Sequence, residues 1–365
     1  MTWIVSLIVL ALALWLVARF ALAGEDLSRF DQPRVTAHNA GQPPSPQQQD
    51  VLDDLSRLFG ASSGKRGKAR LLSARAAMDQ FGEGVETSGL SFAPVTVNGV
   101  NAEWVLAENS NPQRRLLYLH GGAFTLGSPR SHRRITAQFA QQMGLSVLSV
   151  DYRLMPEHRR LDGLEDSMNA YRWLLANGPQ GASEADAMLV AGDSAGGNLT
   201  LAVLAQARDL GLRSADAAIA LSPATDGTFA SPSISRNRET DAMLGPTLRP
   251  MLKVPKALLL WGALLAGRAL PTDPRISPLR GDLRNLPPTL ILASECEMLL
   301  DDAVRYANKA QAAGSSVRLV TWEHMVHVWQ FFVPKLPEAQ ASFDVIAAFV
   351  EEHAAEKAGA GDVAA

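Results

Sequence analysis

Short apolar runs alternate with longer amphipathic stretches over most of the chain. The short runs predict six buried strands, at Leu116–Leu119, Leu145–Val150, Met188–Ala191, Ala217–Leu221, Thr289–Ala293 and Val317–Thr321. Apolar residues at helical spacing predict five helices between and after them, near Ser131–Met143, Gly163–Asn177, Ala195–Leu210, Leu300–Ala313 and Pro337–His353. This alternation is typical of an α/β fold with a mostly parallel central sheet and crossover helices.

Additional elements are predicted ahead of this sheet. Val51–Phe59 and Ala69–Phe81 carry apolar residues at helical spacing and predict two amphipathic helices. Val95–Val97 and Val100–Leu106 flank an Asn98-Gly99 dipeptide, which predicts a hairpin with a tight turn.

The segment Thr225–Pro274 interrupts the strand and helix rhythm. A polar loop is followed by an apolar helical stretch at Thr247–Leu265, which we expect to be broken or kinked at Pro250 and Pro255. Ligands of open α/β folds bind at the carboxyl edge of the sheet. The insertion and the two early helices are therefore predicted to cover that edge as a lid.

The N-terminus is the most apolar part of the chain. Trp3–Val17 is uncharged, and the apolar run resumes after Arg19 as far as Ala23, which favours a membrane anchor at the lower edge of spanning length. A cleaved signal peptide is the alternative, since Ala21-Leu22-Ala23 fits a cleavage site, but a basic stretch before the apolar run is missing. No Lys or Arg precedes Trp3–Val17, whereas Arg19, Arg29 and Arg34 follow it. The positive-inside rule thus favours a cytoplasmic catalytic domain, with export after signal cleavage as the alternative.

These patterns divide the chain into regions of different character. The predicted regions are an anchor or signal segment (1–23), a polar Pro/Gln-rich linker (24–50), an N-terminal helical cap (51–90), the α/β domain (91–355) with its lid insertion near 225–274, and a flexible tail (356–365).

Composition excludes several classes of function. The 365 residues are 47% hydrophobic with a formal net charge of -3, an ordinary globular balance. The basic clusters, Arg114-Arg115 among them, are dispersed and expected on the solvated surface, so no nucleic-acid partner is predicted. The single cysteine, Cys296, excludes an intrachain disulfide and gives no support to a thiolate metal site.

A candidate nucleophile follows the third predicted strand. Gly192-Asp193-Ser194-Ala195-Gly196 is a Gly-x-Ser-x-Gly sequence between that strand and a helix. The glycines permit a strained turn that lifts Ser194 out of its strand and puts the Ala195 N–H at a helix N-terminus.

A second glycine pair follows the first predicted strand. Gly121 and Gly122 allow backbone N–H groups to approach a reacting oxygen, and with Ala195 they are the predicted oxyanion hole. His120, beside them, is expected to shape the loop by hydrogen bonding rather than to act as a base.

Two histidines follow the last predicted strand. His327 is the predicted general base because it comes after the serine, in the chain order serine, acid, histidine. His324, in the same loop, is the alternative base, but a structural role is expected for it.

The acid is expected after the preceding strand, where four carboxylates occur. Asp301 and Asp302 begin the following helix and suit a structural role in its first turn. Glu295 and Glu297 are the candidates to orient the imidazole, and their spacing alone does not choose between them.

Five separated motifs resemble those of the hormone-sensitive-lipase-like, or bacterial family IV, carboxylesterases. They are His120-Gly121-Gly122-Ala123, the run from Asp151 to His158, the pentapeptide around Ser194, Leu221-Ser222-Pro223-Ala224-Thr225-Asp226, and His327-Val328-Trp329-Gln330. The resemblance covers roughly 116–349. Two departures are Ala123, where the family often has a third glycine, and the Glu295-Cys296 pair beside the acid.

The resemblance implies an α/β-hydrolase fold with a helical cap and hydrolysis of carboxylic esters of short to medium acyl chains. It implies Ser194 as nucleophile, Glu297 as acid and His327 as base, with Gly121, Gly122 and Ala195 as the oxyanion hole. No cofactor or metal is expected, the partner is a small-molecule ester, and a homodimer is common in the family. Acyl transfer with the same triad and a non-catalytic receptor on the same fold are the alternative functions.

Overall fold

An eight-stranded sheet forms the centre of the protein in a computed structural model, which describes residues 2–86 and 88–354. In chain order the strands are β1 (Leu90–Val97), β2 (Val100–Ala107), β3 (Asn111–Leu119), β4 (Leu145–Val150), β5 (Ala187–Asp193), β6 (Ala217–Leu221), β7 (Thr289–Ser294) and β8 (Val317–Trp322). Their order in the sheet is β1-β2-β4-β3-β5-β6-β7-β8. The first two pairings, β1 with β2 and β2 with β4, are antiparallel, and all the others are parallel. The predicted α/β fold class is confirmed.

Helices connect the strands and cover the sheet. They are α1 (Thr2–Val17), α2 (Gln47–Gly60), α3 (Gly67–Gly82), α4 (Arg133–Met143), α5 (Arg160–Ala176), α6 (Ala195–Asp209), α7 (Ser233–Arg236), α8 (Gly245–Leu248), α9 (Lys256–Gly267), α10 (Leu300–Ala312) and α11 (Pro337–Ala354). The predicted tail at 356–365 lies outside the described residues.

The core lies on both faces of the sheet because alternate side chains of a strand point to opposite faces. Leu117 and Leu119 of β3 belong to one cluster of buried apolar residues, whereas Leu116 and Tyr118 belong to the other. The sheet is thus sandwiched between two apolar layers, and its carboxyl edge is left for polar loops.

Strand β3 begins at Asn111, earlier than the predicted start at Leu116. Arg115, within this extension, is fully buried rather than solvated as its charge suggested. Its guanidinium donates to the carbonyl oxygens of Leu174 at 3.0 Å and of Ser183 at 2.8 Å. Backbone acceptors compensate this charge and let a polar stretch continue the strand.

The insertion breaks where its prolines predicted. Helix α8 ends at Leu248, a 3₁₀ turn spans Met251–Lys253, and α9 starts after Pro255. The two halves, Gly245–Lys253 and Lys256–Gly267, are bent by 119°. Each half therefore contacts a different part of the molecule.

The N-terminal apolar stretch is helical and largely uncovered. Trp3–Leu22 forms 20 residues of helix with a mean hydropathy of 2.5, long and apolar enough to cross a membrane by length and composition. Its last turns are a π-helix at Ala18–Leu22. Ala18 and Leu22 are buried against Leu260 of α9.

The segment 24–50, predicted as a linker, follows the protein surface with specific contacts. The His38 N–H donates 2.7 Å to the Thr321 carbonyl at the edge of β8. Ser45 donates to Glu338 through its N–H and its hydroxyl, both at 2.8 Å. Its composition gave no sign of these contacts, which lead the chain along the body to α2.

Candidate active site

Ser194 occupies a sharp turn between β5 and α6. Its φ of 54° lies in the left-handed region, where a residue with a side chain is sterically strained. A Cβ on Gly192 would come within 2.5 Å of the carbonyl oxygens of Gly196 and Leu119, and one on Gly196 within 1.8 Å of the latter. Glycine is required at both positions because the turn packs directly onto the end of β3.

Three of the predicted residues meet in one hydrogen-bonded chain. His327 Nε2 lies 2.9 Å from Ser194 Oγ, and His327 Nδ1 lies 2.5 Å from Glu297 Oε2. With the proton on Nδ1, the imidazole donates to Glu297 and accepts from the serine hydroxyl. Glu297 and His327 are buried, so the contact between them is shielded from water, whereas Ser194 is partly open to the cavity.

The electrostatics of His327 are dominated by two opposing effects. Burial disfavours the imidazolium, but the hydrogen bond and the negative charge of Glu297 outweigh it and raise the pKa of His327 above its ordinary value. The second carboxylate oxygen of Glu297 accepts the Ser294 N–H at 3.0 Å, which fixes the carboxylate plane. The pair is thus suited to hold a proton taken from Ser194.

The loop after β7 separates the two candidate acids. Glu297 turns inward to His327, whereas Glu295 makes no side-chain hydrogen bond within the described part of the chain. Asp301 pairs with Arg34 at 2.6 Å and with Arg236 at 3.1 Å. It has the structural role that its helix position predicted.

Two further polar residues of the prediction also lie away from Ser194. Asp302 accepts the backbone N–H groups of Thr225 at 2.7 Å and Asp226 at 2.9 Å and holds the loop after β6. His324 has a half-exposed side chain 3.9 Å from Glu323, on the outer side of its loop. Neither is in position to exchange a proton with the serine.

The glycine loop after β3 differs from the prediction at one residue. The Gly121 N–H donates to Asp193 Oδ1 at 3.0 Å and faces His132 Nε2 at 3.1 Å. It is engaged with a buried carboxylate, so its assignment to the oxyanion hole is wrong. Gly122 and Ala123 both have positive φ, 114° and 53°, and within 88–354 their N–H groups have no partner.

Asp193 organises this loop through contacts that sequence reasoning missed. Its Oδ1 also accepts the Tyr118 hydroxyl at 2.6 Å and lies 3.3 Å from His132 Nε2. Burial raises the pKa of the carboxyl, but the charge of His132 and the hydrogen bonds prevail, so the pKa of Asp193 is lowered. Tyr118 and His132 belonged to a strand and a helix start, where no motif drew attention to them.

His120 has the loop-shaping position predicted for it. Its Nδ1 lies 2.8 Å from the Gly121 carbonyl oxygen, and its ring stacks on Tyr152 at 4.2 Å. Burial and the neighbouring His132 lower the pKa of His120 to about 3, so the ring is neutral.

Ser194 and His327 line a cavity of about 220 Å³. We call the part of the lining that consists of Gly122, Ala123, Asp193, Ser194 and His327 the floor. The part contributed by α2, α3, the turn between them and the region of α8 is the roof, and its lining residues are Leu55, Leu58, Phe59, Ser62, Ala74, Met78, Phe81, Met243, Leu244, Thr247 and Leu248. The roof is almost entirely apolar, as expected of a binding site for a hydrocarbon group.

Asp241 links the roof to the loop after β7 that contains Glu297. One carboxylate oxygen accepts the N–H groups of Met243 at 3.0 Å and Leu244 at 2.8 Å, and the other accepts the Met298 N–H at 2.8 Å. The roof residues are therefore fixed relative to Glu297, which neighbours Met298.

A larger cleft of about 450 Å³ lies elsewhere and is lined mainly by charged side chains, among them Arg159, Glu165 and Arg268. It contains none of the predicted site residues, so its larger volume is no reason to place the reaction there.

Comparisons with known proteins agree with the observed fold. A family model described as the alpha/beta hydrolase fold matches residues 116–331. An acetyl-hydrolase of Streptomyces hygroscopicus is 38% identical over 261 residues, which are 70% of this chain and 81% of that protein. An esterase of Acinetobacter venetianus is 34% identical over 257 residues, 70% of this chain and 80% of that protein.

A solved structure of an esterase from the bacterial hormone-sensitive lipase family is similar in fold and sequence. It superposes with a TM-score of 0.74 at 33% identity and covers 86% of this chain and 99% of that chain. The family match spans more than half of the chain, and it includes both Ser194 and His327. The chain belongs to the α/β-hydrolase family and, within it, to the hormone-sensitive-lipase-like carboxylesterases.

Proposed function

We propose that this carboxylic-ester hydrolase works through Ser194 as nucleophile, His327 as general base and Glu297 as the acid that orients the base. The observation that carries the proposal is the chain of contacts from Ser194 Oγ to His327 Nε2, 2.9 Å, and from His327 Nδ1 to Glu297, 2.5 Å. Nucleophile, base and orienting carboxylate in hydrogen-bond reach are the arrangement that nucleophilic acyl transfer requires.

In the first half-reaction His327 takes the proton of Ser194 while Oγ forms a bond to the ester carbonyl carbon. The carbonyl π bond opens to an oxyanion, and the imidazolium is stabilised by the charge of Glu297. Collapse of the tetrahedral intermediate breaks the bond to the leaving oxygen. That oxygen receives the proton from His327 and departs as an alcohol, and the acyl group stays on Ser194.

In the second half-reaction water replaces the alcohol. His327 takes a proton from the water as its oxygen attacks the acyl carbon, and the second tetrahedral intermediate breaks the bond to Ser194 Oγ. The proton returns from His327 to Oγ, so the free enzyme is restored and a carboxylic acid is released.

The oxyanion hole that we propose consists of the N–H groups of Gly122, Ala123 and Ala195. Gly121 is replaced by Ala123 because its own N–H is held by Asp193. Ala195 begins α6, where the helix dipole favours negative charge. Each donor of this kind contributes on the order of 10² to 10³ in rate.

The acyl group is proposed to occupy the cavity beneath the roof. A volume of about 220 Å³ lies below the roughly 300–1,000 Å³ usual for drug-sized ligands, which supports short to medium acyl chains. On this proposal 51–90 and the insertion at 225–274 act together as the cap of the α/β domain.

Labelling with a fluorophosphonate tests the nucleophile directly. We expect the folded protein to be modified at Ser194, identified by peptide mass mapping, because only an activated serine attacks phosphorus at a useful rate. A folded, unlabelled Ser194 would instead support a receptor. Hydrolysis of p-nitrophenyl esters of increasing acyl length then defines the preferred chain, and products formed with competing alcohols distinguish hydrolysis from acyl transfer.

We also propose that the N-terminal helix remains attached as a membrane anchor, with the catalytic domain on the cytoplasmic side. Burial of Ala18 and Leu22 against Leu260 supports retention, because cleavage at Ala23 would uncover that apolar contact. Intact-mass measurement of the membrane-extracted protein tests it: loss of about the first 23 residues would show a signal peptide. Protease protection in sealed vesicles of known orientation tests the side.

A further inference from the structure

Helix α9 is apolar on all sides yet only partly covered. From Ala257 to Gly267 its sequence contains no charged residue. One face packs on the end of the N-terminal helix, but Leu258 and Leu265 on the helix surface are 60% and 72% exposed. A helix that is apolar all round is normally buried in protein or in a membrane.

The contact between α9 and the N-terminal helix extends over the last turns of the latter. Leu260 buries Ala18 and Leu22, and the indole N–H of Trp261 donates to the Leu14 carbonyl oxygen at 3.2 Å. Thr272, just after α9, donates to the Ala21 carbonyl at 3.4 Å. Helix α9 is therefore fixed beside the stretch from Leu14 to Leu22.

Length then places α9 relative to a bilayer. Trp3–Leu22 has 20 residues, and at ~1.5 Å per residue it extends about 30 Å, which is the thickness of a hydrocarbon core. No residue is left over, so the stretch beside α9 has to lie inside the membrane boundary when the helix spans. The overlap from Leu14 to Leu22 corresponds to about 12 Å of depth.

We propose that α9 lies in the membrane beside the N-terminal helix, with Leu258 and Leu265 against lipid. The proposal rests on the anchor proposed above. With 12 residues α9 is about 18 Å long, too short to cross, and suits an orientation along the bilayer surface.

The charges around α9 agree with this placement. Lys256 starts the helix, Arg268 follows its end, and Arg19 is the one charged residue within Trp3–Leu22. Long basic side chains at such positions extend to the headgroup region and attract anionic lipid. The occupant of the exposed face is therefore a lipid bilayer rather than a second protein.

The placement has a consequence for the substrate path. The chain passes from α8 to α9 through residues 249–255, and Thr247 and Leu248 of α8 line the cavity above Ser194. The bilayer around α9 is therefore connected to the roof by this short segment. It is also a source of apolar esters for the cavity.

Depth-dependent quenching in vesicles tests the placement on the full-length protein. Cys296→Ser provides a cysteine-free background, into which Leu258→Cys, Leu265→Cys and Leu7→Cys are introduced one at a time and labelled with an environment-sensitive fluorophore. Leu210→Cys, 51% exposed at the end of α6, is the matched control. The vesicles contain phosphatidylcholine and phosphatidylglycerol with nitroxide-labelled acyl chains.

We expect the labels at 258 and 265 to be quenched by the nitroxide lipid several-fold more than the label at 210, and to resist aqueous iodide. Quenching at 7 without quenching at 258 and 265 would overturn the placement of α9 while leaving the anchor intact. No quenching at 7 would mean that the anchor itself fails. Protection of 258 and 265 from both quenchers would point to a second protein copy and equally overturn the proposal.

Discussion

The floor and the roof of the cavity present different kinds of contact to a substrate. In the floor, Ser194 has a strained backbone conformation, and His327 is held by a buried carboxylate, as is Gly121 next to the floor. In the roof, the side chains that α2 and α3 contribute to the cavity lining are mostly apolar. Directional contacts have few tolerated alternatives, whereas apolar packing accepts residues of similar volume. Chemistry should therefore be sensitive to the floor, and substrate choice to the roof.

Removal of the nucleophile should have the largest effect. Ser194→Ala is expected to lower turnover of a p-nitrophenyl ester by about 10⁴ to 10⁶, because the covalent step is lost. Ser62→Ala removes the same hydroxyl from the roof and should stay within a few-fold of the parent protein. Comparable losses in both variants would remove the distinction between floor and roof.

Replacement of the proposed acid, Glu297, should have the next largest effect. Glu297→Gln should lower kcat by about 10⁴, since a neutral amide cannot hold the imidazole proton in place or stabilise the imidazolium. Glu295→Gln, two residues away in the same loop, should retain nearly full activity. Steady-state kinetics on the two purified proteins decide, and the reverse ranking would move the acid to Glu295.

The pH profile should report the contact between Glu297 and His327. The base acts when neutral, so turnover falls as the pH drops through the pKa of His327, by about tenfold for each pH unit below it. Because that pKa is raised, the acid limb of kcat/KM should lie above the ordinary value near 6.5. In Glu297→Gln the residual activity should have its limb at lower pH. If the acid limb of Glu297→Gln lay at the same pH as that of the parent protein, the titrating group would not be His327.

A glycine next to the floor and a glycine of the roof form the next pair. In Gly121→Ala the new Cβ would come within 2.1 Å of Asp193 Oδ2, so the loop has to shift and we expect about a 10² loss in kcat/KM. A Cβ on Gly60, the last residue of α2, meets nothing within 4 Å. Gly60→Ala should leave activity unchanged and raise the free energy of unfolding by up to about 1 kcal/mol.

Enlarging the roof should have the smallest effect and a selective one. Phe59→Ala removes an apolar side chain from the cavity lining, which should shift the preferred p-nitrophenyl ester several-fold toward longer acyl chains. The short-chain kcat should change little. A uniform loss across the chain-length series would mean that Phe59 supports the floor as well.

The sequence predicted most of the sheet and the placement of Ser194 and His327. Both residues follow strand ends, and parallel strands bring such ends to one edge. Hydrophobic periodicity is a local signal, so these assignments needed no knowledge of distant contacts. The break of the insertion at its prolines was predictable for the same reason.

Contacts between distant residues account for what the sequence could not predict. The direction of the Gly121 N–H depends on Asp193, 72 residues later, and no local sequence pattern predicts this contact. Glu295 and Glu297 differ only in which side of one loop they face, so spacing left both open. Arg115 was expected at the surface because its charge is visible in the sequence, whereas its carbonyl acceptors are not.

The contacts of residues 24–50 limit how far the α/β domain can move from the N-terminal helix. Fully extended, those 27 positions would reach roughly 90 Å. Bound to Thr321 and Glu338, the same residues act as a short strap rather than a tether. On the anchor proposed above, this strap keeps the enzyme next to the bilayer, and the concentration of ester dissolved there, rather than in bulk water, would set its rate.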